Sequence, residues 1–387
     1  MINAAQHDLA GAGAALPARY KMQLVPAREI ATLLQPWSAL FDACAEANPF
    51  YGPDYLMPLA EGPMMGVDWR ACVVWRRDDL HKENMAAFMP LAPWRGFLSP
   101  LRALRHPYMV GGAPLLDAAD PVAAAEAMLD GLCEHYRRPI VIFDDLRLDW
   151  PAAKALLAAS ERSGRPALML DVQSRPGVTP GVGESEIPPS VAKNLRRRRK
   201  RLAEAGDWSI ESLPGGTCDA RVLEDFLALE AAGWKGARKT ALASNPVSLE
   251  FARRAFAKDN LRPALRFETL IHNGKTIAAN VHLVTSDHAA AVKAAYDESC
   301  AAFSPGLLLD AAASETLKRE NWTPLLDSVT QPGHPLEKLW RAPVRTGSIA
   351  LAVDRRKAGA EFEMQVGMER LRRRGRELAK DVFNRLR

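Results

Sequence analysis

KAAYDESCAAFSPGLLLDAAASETL, residues 293–317, joins three kinds of local structure in one short run. The apolar stretch Ala289 to Tyr296 has the composition of a strand and closes on Asp297. A loop then carries Ser304-Pro305-Gly306, and an Ala/Leu-rich helix starts at Leu307. The first turn of a helix has backbone N–H groups without intrahelical acceptors and the positive end of the dipole, and Gly306 would let a bulky anion approach the backbone. The junction therefore reads either as a seat for a pyrophosphate, formed by Ser304, Pro305, Gly306 and Leu307, or as plain turn chemistry.

A chain of 387 residues, 48% hydrophobic and 25% charged, is long enough for two or three domains with sizeable cores. No apolar run is long enough to cross a bilayer, and Met1 to Tyr20 lacks a basic start followed by an apolar core. The cysteines Cys44, Cys72, Cys133, Cys218 and Cys300 are scattered without a Cys-x-x-Cys pair, which argues against a disulfide framework and a zinc knuckle. A cytoplasmic protein without a metal is expected. The net charge of +5 divides unevenly: residues 1–190 hold 17 Lys/Arg against 22 Asp/Glu, and residues 191–387 hold 34 against 24. Much of the basic excess lies in two helix-like runs, Lys193 to Arg201 and Arg370 to Arg387.

In the first half, a strand from Lys21 leads to a helix over Arg28 to Ala45, a Pro/Gly break at Asn48 to Pro53, and a short helix over Asp54 to Ala60. A hairpin of Trp69 to Arg76 and Met85 to Ala92 follows, then strand-like Tyr108 to Val110. A helix begins at Pro121 with Asp120 as N-cap, and Ile140 to Phe143, Pro151 to Ser160 and Ala167 to Val172 read as strand, helix and strand. Ser174 to Pro189, dense in Pro and Gly, reads as a linker. The second half repeats the order: strand Trp208 to Leu213, helices Cys218 to Gly233 and Pro246 to Lys258, and three strands (Ala264 to Ile271, Thr276 to Val284, Ala289 to Tyr296) with an Asn273-Gly274 hairpin turn. The helix Leu307 to Lys318, strand Pro324 to Val329, a helical turn near Leu336 to Trp340 and strand Ser348 to Val353 complete it. Each half is an α+β unit with a meander at its centre, so domains of 1–173 and 191–387 are expected, joined by residues 174–190.

This order resembles the GNAT acyltransferase fold, and several segments resemble the CelD/BcsL-type acetyltransferases, relatives of the FemAB peptidoglycan aminoacyltransferases with two GNAT-like domains. The segments are NPFYGPDYL (Asn48 to Leu56), VAKNLRRRRKRLAEAG (Val191 to Gly206), FLALEAAGWKG (Phe226 to Gly236), AAYDESCAAFSPGLLL (Ala294 to Leu309) and LLDSVTQPGHPLEKLW (Leu325 to Trp340). The resemblance implies tandem GNAT-like domains, each a mixed, mostly antiparallel sheet flanked by helices. It also implies transfer of an acetyl or other acyl group from acyl-CoA to an amine or hydroxyl of a polysaccharide, cell-envelope precursor or small molecule. The loop Cys300 to Gly306 has only Gly306 where ordinary GNAT enzymes carry Gln/Arg-x-x-Gly-x-Gly/Ala.

Acyl transfer needs a deprotonated nucleophile, an aligned donor and stabilisation of a tetrahedral oxyanion. Asp297, beside the donor loop, either takes the proton or caps the loop. Tyr296 either protonates the leaving thiolate or packs in the core. Asp327, mid-strand in an apolar run, faces a cleft on which His334 and Lys338 could converge, or faces solvent. Trp234, Lys235, His334, Lys338 and Trp340 form the expected substrate-contact set. No nucleophile elbow, Walker loop, His-rich metal pattern or Rossmann fingerprint is present, which favours direct attack without a covalent enzyme intermediate. Two rivals remain: a Fem-like aminoacyl-tRNA transferase, the one reading with a nucleic-acid substrate, and a non-catalytic membrane or nucleic-acid adaptor acting through the two Arg-rich runs. The last helix sets Leu371, Leu378, Val382 and Leu386 on one side, either to lie on an acidic membrane surface or, the preferred reading, to pack on the second domain.

Overall fold

The structure, a computed structural model, describes residues 20–385 apart from 67, 78–80, 94–98, 137–139, 182–186, 216–219, 258 and 356–358. In chain order the first half contains β1 (Tyr20–Pro26), α1 (Leu34–Ala43), α2 (Pro53–Glu61), β2 (Arg70–Arg77), β3 (Glu83–Leu91), β4 (Leu101–Arg102), β5 (Leu115–Leu116), α3 (Pro121–Tyr136), β6 (Ile140–Arg147), α4 (Pro151–Arg162) and β7 (Ala167–Val178). The second contains α5 (Pro189–Ala205), β8 (Trp208–Pro214), α6 (Ala220–Ala232), α7 (Trp234–Ala237), α8 (Pro246–Ala255), β9 (Ala264–His272), β10 (Lys275–Val284), β11 (Ala289–Tyr296), α9 (Pro305–Glu320), β12 (Leu326–Asp327), β13 (Ala342–Ala352) and α10 (Ala360–Arg385). The order of elements recurs between the halves in outline.

Local chemistry sets the junctions. Asn273 and Gly274 both take positive φ (49° and 74°), the backbone of a tight hairpin turn between β9 and β10. Pro305 opens α9 at a position that needs no N–H, and Asn321 ends it in the left-handed region at φ 48°. Asp120 caps α3 by accepting from Ala123 N–H at 2.9 Å.

The sheets join the halves. A four-stranded sheet runs β1-β2-β3-β5, and a nine-stranded sheet runs β4-β6-β13-β7-β12-β11-β10-β9-β8. The last strand of the second half, β13, lies between β6 and β7 and pairs antiparallel with both, while the end of β7 pairs with β12 at Leu326↔Val178 and Asp327↔Gly177. The halves thus exchange their closing strands. Ser174 to Val178, expected in the linker, is strand, because β13 and β12 together supply the ladder that pairs it. Tyr108 to Val110 is not strand, and the strand expected over Pro324 to Val329 is only Leu326–Asp327.

A core shared by both halves runs between them. Tyr55, set edge-on to Phe50, meets Phe251 and Phe256 of the second half, and Tyr108 stacks on Phe251 with centroids 5.4 Å apart. Truncating one such buried ring costs on the order of 3–5 kcal/mol. Among the described residues no helix is long and apolar enough to cross a membrane, and no group of His, Cys, Asp and Glu could hold a metal ion.

Candidate active site

β11 is paired to β10 along its whole length but to β12 only through Ala289↔Leu326 and Ala290↔Asp327. Beyond those two pairs the parallel strands part. The β10 register shifts so that Val281 faces Lys293 and His282 faces Ala291, leaving Val292 as a bulge at the mouth of the gap. Ala294 and Tyr296, further along, are exposed because no strand covers that edge.

The loop after β11 leads to the N-terminus of α9. Ser304 sits at φ 50°, and its side chain makes no capping hydrogen bond. A Cβ on Gly306 would meet nothing nearer than Tyr296 Cδ1 at 3.8 Å, so the first turn is sterically open. Half-buried Leu307 packs against the core beneath it. The basic helix α5 lies alongside, with Leu195 and Leu202 buried and Arg196, Arg197, Lys200 and Arg201 exposed. Arg198 Nη1 reaches the Ala302 carbonyl of the loop at 3.4 Å, and Arg199 pairs with Glu315 of α9.

On the face of β11 turned toward the first half, two lysines share one carboxylate. Glu230 of α6, completely buried, accepts from Lys235 Nζ at 3.1 Å, Lys293 Nζ at 3.3 Å and Leu242 N–H at 2.7 Å. Burial works to raise the Glu230 carboxyl, but Lys293, the Leu242 N–H and Lys235 outweigh it and hold it below the usual carboxylate range. Burial lowers the Lys293 ammonium against the pull of Glu230. Lys293 also lies 4.9 Å over the Tyr108 ring, and Lys235 donates to the Ala294 carbonyl at 3.0 Å.

From Tyr108 the chain runs on to the seam between the halves. Val110 and Gly111 (φ 86°) border a polar cavity with room for a single water, walled by Arg147, Arg175, His288, Asp327 and Val329. Arg175 grips Asp327 through two hydrogen bonds of 2.7 and 2.8 Å and Asp145 at 2.9 Å, while Arg147 pairs with buried Glu46 at 2.7 Å. His288 holds Asp287 through Nδ1 at 2.9 Å, and its buried Nε2 has no partner among the described residues. Val329, a β-branched residue, is held at φ 51°, a strained conformation of the kind that functional sites maintain. Val110, Gly111 and Asp145 also border a larger cleft of about 480 Å³, lined further by Arg105, Asp144, Gln331, Arg373 and Arg376.

The residues singled out from the sequence fall in separate places. Asp297 caps the 298–303 turn through Ser299 and pairs with Lys275 Nζ at 2.7 Å; that lysine and Ser299 hold its carboxyl below the ordinary range. Tyr296 is 39% exposed at the strand end beside Gly306. Asp327 is buried; burial would raise its carboxyl, but Arg175 and Arg147 keep it low. Trp234, half exposed, is tied to the loop through its N–H to Glu298 at 2.7 Å, so Trp234 and Lys235 border the same gap. Trp340 is buried beneath α9, its indole donating to the Asp310 carbonyl at 3.1 Å. His334 caps the 335–338 turn, and it and Lys338 are exposed; no contact among the described residues ties them to Asp327. Lys293 and Glu230 were not anticipated, although a lysine inside AAAVKAAY and a glutamate at a core position of a helix were visible signals.

Residues 189–329 match the family model of the acetyltransferase (GNAT) domain. This is a GNAT fold. Among solved structures, the C-terminal DUF2156 domain of a protein named as a lysylphosphatidylglycerol synthetase from Agrobacterium fabrum superposes with a TM-score of 0.53 at 14% identity, covering 87% of this chain and 95% of that one. FemX gives 0.51 at 10% identity, covering 85% and 96%, and a conserved protein of unknown function from Bacteroides thetaiotaomicron VPI-5482 gives 0.51 at 12%, covering 86% and 99%. At such identities the likeness is one of fold. No curated protein matches the chain.

Proposed function

We propose that the chain is a GNAT-type acyltransferase that moves an acetyl or other acyl group from acyl-CoA to an amine or hydroxyl held in the cleft between the halves. The observation that carries this reading is the parting of β11 from β12 beside the uncapped first turn of α9. The residues there fit a diphosphate-bearing donor: the N–H groups of Gly306 and Leu307 are first-turn donors, Ser304 and Pro305 shape the turn, and basic α5 flanks it. Acyl-CoA would supply an activated thioester carbon. Lys293 and Lys235, two cations on one buried carboxylate, offer positive charge where an oxyanion would develop at the bulge, and Glu230 fixes their positions. Tyr296 borders the donor seat. Asp297 holds the loop, and Asp327 holds the strained turn at Val329 through its bond to that N–H at 3.0 Å. The segments resembling CelD/BcsL-type enzymes favour polysaccharide or envelope-precursor acceptors and a cytoplasmic setting.

A second reading, a FemX-like transferase taking aminoacyl-tRNA, is favoured by the exposed basic face of α5 beside the same loop. Calorimetry with acetyl-CoA, longer acyl-CoAs, free CoA and tRNA separates the two. Saturable CoA binding is expected, with Lys293→Met lowering kcat by roughly a hundredfold while leaving the donor Kd in place. Silence from every CoA together with salt-sensitive tRNA binding overturns the acyl-CoA reading.

A further inference from the structure

Helix α10 presents two opposite faces. Phe362, Gln365, Val366 and Glu369 are buried, and Phe362 and Val366 pack on Ile140, Ile142, Leu170, Ala350 and Ala352 of the sheet that both halves share. Of the face expected to pack, Leu371 and Leu378 are 68% and 66% exposed, and Met364, on the same side, is 52% exposed; the Val382 and Leu386 side chains lie outside the described residues. At about 100° per residue Met364, Leu371 and Leu378 fall within ~40° of one another, nearly opposite Phe362. Arg370 and Arg374 flank the stripe on one side, Arg372 and Arg376 on the other, and all four are exposed. Residues 370–387 carry seven Arg and Lys380 against Glu377 and Asp381.

An apolar stripe along a helix, bordered on both sides by arginines and facing away from the protein, matches the interface of an anionic bilayer. The stripe enters the headgroup boundary while the arginines meet lipid phosphates. We propose that the exposed face of α10 docks the protein on a membrane surface rich in acidic lipid. The net positive charge selects lipid over a second copy of the chain, whose α10 would bring like charge against like. Arg376 also borders the cleft between the halves, so docking sets that cleft beside the bilayer. The inference stands whether or not the acyl-transfer reading does, because its readout is lipid binding.

The test is co-sedimentation of the full chain with vesicles of phosphatidylcholine alone and of phosphatidylcholine mixed with phosphatidylglycerol. Binding to the mixed vesicles alone is expected, falling with added salt. Arg370→Gln and Arg374→Gln should each weaken it roughly fivefold. Leu371→Ser combined with Leu378→Ser should abolish it with the melting temperature unchanged, since neither side chain is packed. Equal partition to both vesicles, unaltered binding by the double serine variant, no binding at low salt, or a concentration-dependent dimer abolished by that variant would each overturn the proposal.

Discussion

Helices α3 and α9 occupy the same place in the two halves, each following the last meander strand, each sixteen residues long and each opened by a proline. Their N-termini differ. In α3 the Asp120 carboxylate fills the first turn, and Asp117 accepts from Ala119 N–H just before it. In α9 the corresponding place has Ser304 in the left-handed region with no side-chain cap. The sixth residues differ as well. Glu126 of α3 is paired with Arg162 and Arg355, whereas Asp310 of α9 accepts from the neutral amide of Asn280 at 3.0 Å. The strands that follow are an eight-residue β6 and a two-residue β12. One half has used its helix N-terminus to stabilise itself, and the other has left its first turn without a side-chain cap beside a gap in its sheet, the proposed anion seat. On the proposed reading the same fold holds a scaffold and a site, and the difference lies in a few polar side chains.

The largest effect should come from the guanidinium joining the two. Arg175→Ala leaves Asp327 and Asp145 without their partner at the exchanged strands, and breaking such a buried pair costs about 3–5 kcal/mol. Urea denaturation should register that loss; a change below about 1 kcal/mol would mean that the halves are held by their apolar core alone. Gly306→Glu tests the open seat directly. The side chain has room, and a carboxylate in the first turn favours the helix, so stability should hold. Donor affinity should fall roughly thirtyfold, the ratio that ~2 kcal/mol of dipole energy represents. Unchanged CoA binding would move the donor elsewhere.

Much of this contrast was legible in the sequence. The Asp120-Pro121 start of α3, the Ser304-Pro305-Gly306 junction and the Asn273-Gly274 turn are local signals, and the structure has helix starts and a turn at those positions. The exchange of closing strands was not legible, because β13 pairs with residues some 165 to 212 positions earlier and nothing in Ser348 to Val353 names its partner. Trp340, at the end of a family-like segment, is among the expected substrate contacts, but Leu336 to Trp340 also has the spacing of a turn that buries Leu336, Leu339 and Trp340. The stripe on α10 shows the limit of periodicity: it identifies an apolar face, but Phe362 and Val366 on the other side had the better partner.

A third, smaller effect concerns the sixth residues. Burial raises the Asp310 carboxyl to about 7, with Asn280 only partly offsetting it. The folded protein then holds a proton that the unfolded chain releases at its ordinary, lower pKa. That contribution to stability is complete in acid and disappears as pH rises through 7. Between pH 6 and 8 the loss should be roughly 1.4 kcal/mol, and Asp310→Asn, which cannot titrate, should remove this part of the slope. Parallel stability profiles for the two proteins would show that the carboxylate is better solvated than its burial implies.

The smallest effect tests whether the cap alone makes α3 a scaffold. Asp120→Ala removes the bond to Ala123 N–H and should cost about 1 kcal/mol, read as a lower melting temperature. It also uncovers a helix N-terminus in the half where no donor is expected. If the open turn were sufficient for binding, the variant would take a second equivalent of acyl-CoA. The expected stoichiometry remains one, because a diphosphate at the first turn must also have a slot for the rest of the donor. In the second half the proposed slot is the gap beyond Asp327, where β11 has lost its neighbour. In the first half, β5 spans only Leu115–Leu116 and leaves little strand edge for a donor to follow. A second equivalent would show that the capping carboxylate is the whole difference between the halves; its absence assigns the rest to the parted strands.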